Sequence, residues 1–183
     1  LTVQDLTQLL SGCGFPPFEN QRVKAVVVYG FEGSRKQIDK LCADVEVQTG
    51  NKVYWFRYDE KGELVGGISK FLQPIKDLVV EALTLAPGCL VGLSAGTLLA
   101  AQKTAGVFIK TVAPLCPAHF VKERYEFCWI VDFPMYEIGE ESGELEFCHN
   151  PFSMPNGGLE IIEKAIKGEV DPLSITAFQY DLV

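Results

Sequence analysis

Val23-Lys-Ala-Val-Val-Val-Tyr29, then after Gly30-Phe-Glu-Gly33 the string Ser34-Arg-Lys-Gln-Ile-Asp-Lys-Leu-Cys-Ala-Asp-Val45, is a strand running into a helix. The first string is β-branched and apolar, the composition of a buried strand. In the second, Ser34 and Gln37 form a capping box. The Ser hydroxyl accepts from the amide three residues on, and the Gln side chain reaches back to the cap amide. Ile38, Leu41, Cys42 and Val45 then fall at i, i+3, i+4 and i+7, one face of a helix. Gly50-Asn51 ends it.

The pattern repeats downstream. Residues 52–58 (KVYWFRY) form an aromatic strand, 59–62 a turn, and 63–68 a returning strand weakened by Gly66-Gly67. Pro74 suits the first turn of a helix. Ile75, Leu78, Val79, Ala82 and Leu83 make its apolar stripe, and Pro87-Gly88 stops it. Residues 89–93 read as a short buried strand. A third helix is expected over about 96–112, with Leu98, Ala101, Ala105, Phe108 and Val112 on one side. Strands alternate with one-faced helices, so a two-layer sheet-and-helix module suffices to bury them.

Pro114 and Pro117 mark the expected boundary between modules. Residues 127–138 (FCWIVDFPMYEI) read as a long apolar strand interrupted by Pro134, which removes a ladder donor. An acidic turn over 139–143 leads to a hairpin arm over 144–148. The loop His149-Asn-Pro-Phe-Ser-Met-Pro155 follows, then Asn156-Gly-Gly158 and a short helix over 159–167. The chain begins at Leu1 and stops within the apolar segment 174–183, so a piece of a longer polypeptide is expected.

Composition bounds the function. In 183 residues, apolar types make up 48% and charged types 22%, which excludes disorder, collagen and coiled coil. No apolar run reaches the ~18 residues of a membrane span. Sixteen Lys and Arg against 24 Asp and Glu give a net charge of -8, the wrong sign for binding nucleic acid by charge alone. The six cysteines include no C-x-x-C pair, and reduced thiols in a cytoplasmic protein are expected.

Several constellations suggest chemistry. Gly92-Leu-Ser94-Ala-Gly96 matches the nucleophile elbow G-x-S-x-G, and Ser94, Asp132 and His149 stand in the order of a hydrolase triad. The pattern is short and lacks an HGGG-like oxyanion segment before it. The simpler reading is that Ser94 caps the following helix and the glycines make a turn. The same turn offers only a weak anion site, since the Gly-Lys-Ser/Thr of a nucleotide loop is missing. Arg35 and Lys36 in the first turn of a helix read as solvated charge rather than an anion site. Cys116, His119, Cys148 and His149 have zinc-ligand chemistry, but adjacent residues such as Cys148 and His149 point to opposite faces of an extended chain, so no metal site is expected. His149 itself sits in a Pro-framed loop after a strand, where binding residues collect. Its imidazole suits a carboxylate or amino-acid ligand.

Three strings together resemble bacterial-type aspartyl-tRNA synthetases: Phe127-Cys-Trp-Ile-Val-Asp-Phe-Pro-Met-Tyr-Glu137, Cys148-His-Asn-Pro-Phe-Ser-Met-Pro155 and Ala177-Phe-Gln-Tyr-Asp-Leu-Val183. The patterns W-x-x-D-F-P-M-[FY]-E and H-x-P-F-[ST]-x-P are specific in this order. The opening segment with Gly12-Cys-Gly-Phe15 resembles the stretch after that family's second class II motif. Residues ~20 to ~120, with Ser34-Arg-Lys-Gln-Ile-Asp39 and Ser69-Lys-Phe-Leu72, are similar to the insertion domain called GAD.

The resemblance implies a catalytic-domain segment over 1–20, a GAD-like insertion over 21–120, and an incomplete catalytic-domain segment over 121–183. It implies an α+β fold, a two-layer insertion domain attached to part of a class II antiparallel catalytic sheet. It further implies an aspartate-tRNA ligase as parent, a cytoplasmic homodimer that activates aspartate with ATP and magnesium and transfers it to tRNA. His149 matches the aspartate-binding histidine of the family, while Asn150 stands where many members have a second His. The Arg-bearing ATP motifs, the serine-glutamine-lysine aspartate loop and the anticodon barrel have no counterpart, so ATP and magnesium are expected to bind mostly outside this chain. The isolated chain is expected to be inactive, with no catalytic residue assigned. The alternatives are a non-catalytic GAD module, as in an amidotransferase B subunit, and a serine hydrolase using Ser94.

Overall fold

A computed structural model describes residues 1–116, 125, 127–139, 141–148 and 150–183. The chain divides into two compact units, Leu1–Lys122 and Glu123–Val183. No helix among the described residues is long and apolar enough to cross a membrane.

The first unit is built on β1 (Thr2–Asp5), β2 (Arg22–Val28), β3 (Val53–Tyr58), β4 (Leu64–Val65) and β5 (Cys89–Gly96). They form one five-stranded sheet in the order β1-β2-β5-β3-β4, with every neighbouring pair antiparallel. The last strand in sequence thus lies between β2 and β3. Those two run parallel to each other, and the crossover between them carries α2 (Arg35–Thr49).

The capping box on α2 is present, with Ser34 Oγ accepting from the Gln37 amide and the Gln37 side chain accepting from the Ser34 amide at 2.7 Å. Gly50 closes the helix in the left-handed region. Ile38, Leu41, Cys42 and Val45 are buried, the face expected from their spacing. They pack with Val26, Val28, Trp55 and Leu90 of the sheet and with Ala105, Phe108 and Val112 of α5 (Leu98–Val112).

The opposite face of the sheet is also covered. Val23, Ala25 and Val27 alternate with the residues facing α2. They pack against Leu10 of α1 (Thr7–Leu10), Phe18, Leu72 of α3 (Ser69–Leu72), and Val79 and Leu83 of α4 (Lys76–Leu83). The two-layer expectation is therefore corrected: helical segments lie on both faces. The physical reason is that β2 and β5 are apolar on both sides and need cover on both. Residues 1–18 supply part of it, since β1 pairs with β2 and Leu6, Leu10 and Phe18 are buried.

Local expectations change. The strand expected over 63–68 stops at Val65, because Gly66 and Gly67 turn the chain with φ of 75° and 44°. A Cβ on Gly67 would lie 1.7 Å from the Trp55 carbonyl oxygen, so only glycine fits. In α4 the stripe is narrower than its spacing suggests: Val79 and Leu83 are buried, but Leu78 is exposed. A 3-10 turn over Gln73–Ile75 precedes α4 and resets its phase.

The strand expected over 89–93 runs on to Gly96 as the centre of the sheet. Ser94 is therefore neither an exposed nucleophile nor a helix cap. It is buried, and its hydroxyl donates to the Ala101 carbonyl at 2.8 Å. Thr97 caps α5 instead, accepting from the Ala100 amide. Gly92 is a packing glycine, since a Cβ there would sit 2.4 Å from the Phe108 ring.

Among its described residues the second unit holds three short antiparallel pairs: β6 (Trp129–Ile130) with β11 (Asp181–Leu182), β7 (Phe133–Pro134) with β10 (Thr176–Ala177), and β8 (Tyr136–Ile138) with β9 (Leu145–Phe147). The long strand expected over 127–138 is thus divided into pieces that pair with different partners. One break falls at Asp132, whose φ of 58° leaves the extended region. α6 (Gly158–Ile166) follows the 150–156 loop. Met135, Ile175 and Ala177 form the buried cluster, with Ile161, Ile162 and Ala165 of α6 against it.

Candidate functional site

The loop singled out by the sequence leaves the β8–β9 hairpin. The Tyr136 and Phe147 rings lie 5.1 Å apart across the pair, and beyond it the Cys148 amide donates to the Met135 carbonyl at 3.0 Å. Burial, and then the neighbouring Glu137 carboxylate, hold the Cys148 thiol above its ordinary pKa. His149 lies outside the described residues. Asn150 begins the described loop, and its side-chain oxygen accepts from the Phe152 amide at 3.0 Å. Its carbonyl accepts from the Ser153 amide at 3.1 Å. Pro151 excludes the helical region for Asn150, so a side-chain-closed turn is the local solution.

The far side of the loop is fastened to the last strands of the unit. The Phe178 amide donates to the Met154 carbonyl at 2.8 Å, and Pro155 bridges to Ala177. The Gln179 side-chain amide donates to the Ser153 hydroxyl. Asn156 completes the fastening: its amide donates to the Thr176 carbonyl at 2.8 Å, and its Nδ2 donates to Thr176 Oγ1 at 2.7 Å and Asp132 Oδ1 at 3.3 Å.

Phe133, Phe178, Gln179, Tyr180 and Asp181 line an open cleft of about 410 Å³. Two aromatic rings, an amide, a phenol and a carboxylate suit a small polar ligand that carries an amine or hydroxyl. Gln179 belongs to both the cleft wall and the loop fastening. Sequence reasoning missed Gln179 and Asn156. Their partners are 26 and 20 residues away, a separation that leaves no local periodicity to read.

The other sequence candidates resolve differently. Arg35 pairs with Asp39 at 3.7 Å on the exposed side of α2, ordinary surface charge. Among the described residues no group of three or more His, Cys, Asp or Glu side chains could hold a metal ion. His119 lies outside them, as does His149. All six cysteines are free.

No protein-family model matches the chain. Curated relatives do. The chain is 39% identical over 186 residues to the aspartate--tRNA ligase of Streptomyces coelicolor, and 41% identical over 187 residues to that of Streptomyces griseus. Both alignments cover 100% of this chain and 30% of the relative. The aspartate--tRNA(Asp/Asn) ligase of Rickettsia bellii is 34% identical over 192 residues, again with 100% of this chain and 31% of the relative. The chain thus spans about 30% of the length of the curated relatives it matches.

Proposed function

We infer that this chain is part of an aspartate-tRNA ligase that activates aspartate with ATP and transfers it to tRNA. The observation that carries the reading is similarity along the whole chain, at 39% and 34% identity to two curated ligases. Within that reading, residues 21–120 are a GAD-like insertion domain, and 1–20 and 121–183 belong to the class II catalytic domain. Residue by residue, His149 is the contact to the aspartate substrate. The fastened loop 150–156 is in keeping with this role, because a binding side chain needs a fixed backbone. ATP and magnesium are held by the rest of the parent, which works as a cytoplasmic homodimer. The acidic chain leaves the main tRNA-binding surface to that remainder.

The test is aspartate-dependent pyrophosphate exchange. The whole parent polypeptide should exchange label into ATP with aspartate and not with glutamate, whereas the 183-residue chain alone should give a blank. A parent inert with aspartate would overturn the reading. Exchange by the isolated chain would overturn the assignment of the ATP site to the remainder.

A further inference from the structure

Among the described residues only Asn20, Thr84 and Asp132 take a positive φ without being glycine. Asp132, with φ of 58°, interrupts the stretch between β6 and β7. A side chain in this region of φ is disfavoured by contact of its Cβ with the following carbonyl, and Asp and Asn tolerate it better than other residues. Such conformations persist where surrounding contacts hold them. Here the contact is visible: the carboxylate accepts from Asn156 Nδ2, and the same nitrogen donates to Thr176 Oγ1.

Three segments far apart in sequence therefore meet at one amide. Asp132 comes from the β6–β7 link, Asn156 from the end of the loop, and Thr176 from β10. Asn156 also donates its backbone amide to Thr176, and one residue earlier Pro155 bridges to Ala177. Without the Asn156 side chain, the loop keeps its backbone attachments and the Gln179–Ser153 contact upstream. Without the Asp132 acceptor, the Asn156 amide is left with one of its side-chain partners.

We propose that Asp132 is a positioning residue for the 150–156 loop, acting through Asn156 and Thr176 to hold that loop for amino-acid binding. The proposal deepens the ligase reading and rests on it for the identity of the ligand. The clamp itself rests on the geometry above. Asp132 touches no reacting group in this scheme. It sets where the loop backbone sits, so its removal acts on the amino acid and not on ATP.

Two measurements test it with three variants. Asp132→Gly accepts the positive φ but removes the acceptor, Asp132→Asn keeps both the φ tolerance and an acceptor oxygen, and Asn156→Ala removes the central amide. In the whole parent, hydrogen exchange at the amides of residues 156 and 178 should accelerate at least ten-fold in Asp132→Gly and Asn156→Ala, and less than three-fold in Asp132→Asn. Amides of β2 and β5 should not change. In the whole parent, the first two variants should raise KM for aspartate about ten-fold while KM for ATP stays within two-fold, and Asp132→Asn should restore the wild-type value. Unchanged exchange in Asp132→Gly would overturn the clamp whatever the enzyme does. Faster exchange with no change in KM for aspartate, or with equal changes for both substrates, would overturn the positioning role. A wild-type parent inert with aspartate would instead overturn the ligase reading, and the positioning role with it.

Discussion

The two units of this chain spend their residues differently. In Leu1–Lys122 both faces of a five-stranded sheet are buried, with aromatic anchors such as Phe18, Phe56 and Phe108 almost wholly inaccessible. In Glu123–Val183 the buried cluster among the described residues is Met135, Ile175 and Ala177, while Trp129 and Phe178 are each 62% exposed. The second unit carries the cleft and the polar loop fastening instead. Hydrophobic burial is the main favourable term in folding, and hydrogen bonds add little net stability each. The unit that holds the candidate site is thus the one least able to stand alone.

The strongest way to break this comparison is to separate the units. Residues 1–122 expressed alone should melt in a single cooperative transition with dispersed amide signals, and residues 123–183 alone should show neither. A cooperative melt of the second piece would mean that its polar contacts suffice. A third piece, 21–120, sharpens the result. It lacks β1 and the buried side chains Leu6, Leu10 and Phe18, each worth roughly 1.5–3 kcal/mol of burial. It should be less stable than 1–122 by several kcal/mol, measured by urea denaturation. Equal stability would favour a boundary near residue 20.

Single substitutions should repeat the contrast at smaller scale. Phe108→Ala empties the space between α5 and Gly92 on the central strand, and should cost about 3–5 kcal/mol in the first unit. Phe152→Ala removes a ring that is 92% exposed, and should change stability by no more than about 0.5 kcal/mol. Similar costs at both positions, read from urea midpoints, would erase the distinction.

How legible each unit was follows from the same difference. Strand β2, the capping box of α2 and its buried face come from rules that act within a few residues, and the structure has them where the spacing predicts. The G-x-S-x-G string misled, because glycine and serine were read as turn residues. Gly92 answers instead to the Phe108 ring, and Ser94 to the Ala101 carbonyl seven residues on. In the second unit the β8–β9 hairpin was legible from its turn. The division of 127–138 was not, since it depends on Asp132 leaving the extended region to meet an amide 24 residues away. The loop following His149 was legible only as a string resembling a family; the Asn156 and Gln179 contacts that fasten it were not.

A smaller effect is expected at His149, in activity rather than stability. In the whole parent, His149→Ala should lower kcat/KM for aspartate by roughly 5- to 150-fold, the loss of one hydrogen bond worth about 1–3 kcal/mol in the transition state. The melting temperature should hold. Unchanged kcat/KM would remove His149 from the site, and a parallel fall in melting temperature would make its role structural.

The smallest expected effect compares two ion pairs. Lys24 and Asp5 meet at 2.9 Å across β1 and β2, and Lys164 and Glu160 meet at 2.8 Å one turn apart on α6. Only the first needs tertiary structure. Hydrogen bonds from Thr7, and then the Lys24 ammonium, hold the Asp5 carboxyl well below its ordinary range in the folded chain. A depressed folded pKa means that the unfolded state takes up the proton first as pH falls. The stabilisation is therefore fully present above the unfolded value of about 3.9, and fades as pH drops below it toward the lower folded value. Asp5 is partly exposed, so solvent screening limits the contribution to about 0.5–1 kcal/mol. Asp5→Asn in the 1–122 piece should lower stability by that amount at pH 7, and the gap from the parent sequence should shrink steadily below pH ~4. Glu160→Gln alters a pair already formed within one helix, and should leave the melt of the 183-residue chain unchanged. A gap at Asp5 that stays constant to pH ~2 would show that Asn perturbs the β1 edge by packing rather than by charge. The attachment of residues 1–18 to the sheet would then rest on the β1–β2 ladder and the burial of Leu6, Leu10 and Phe18, without a contribution from charge.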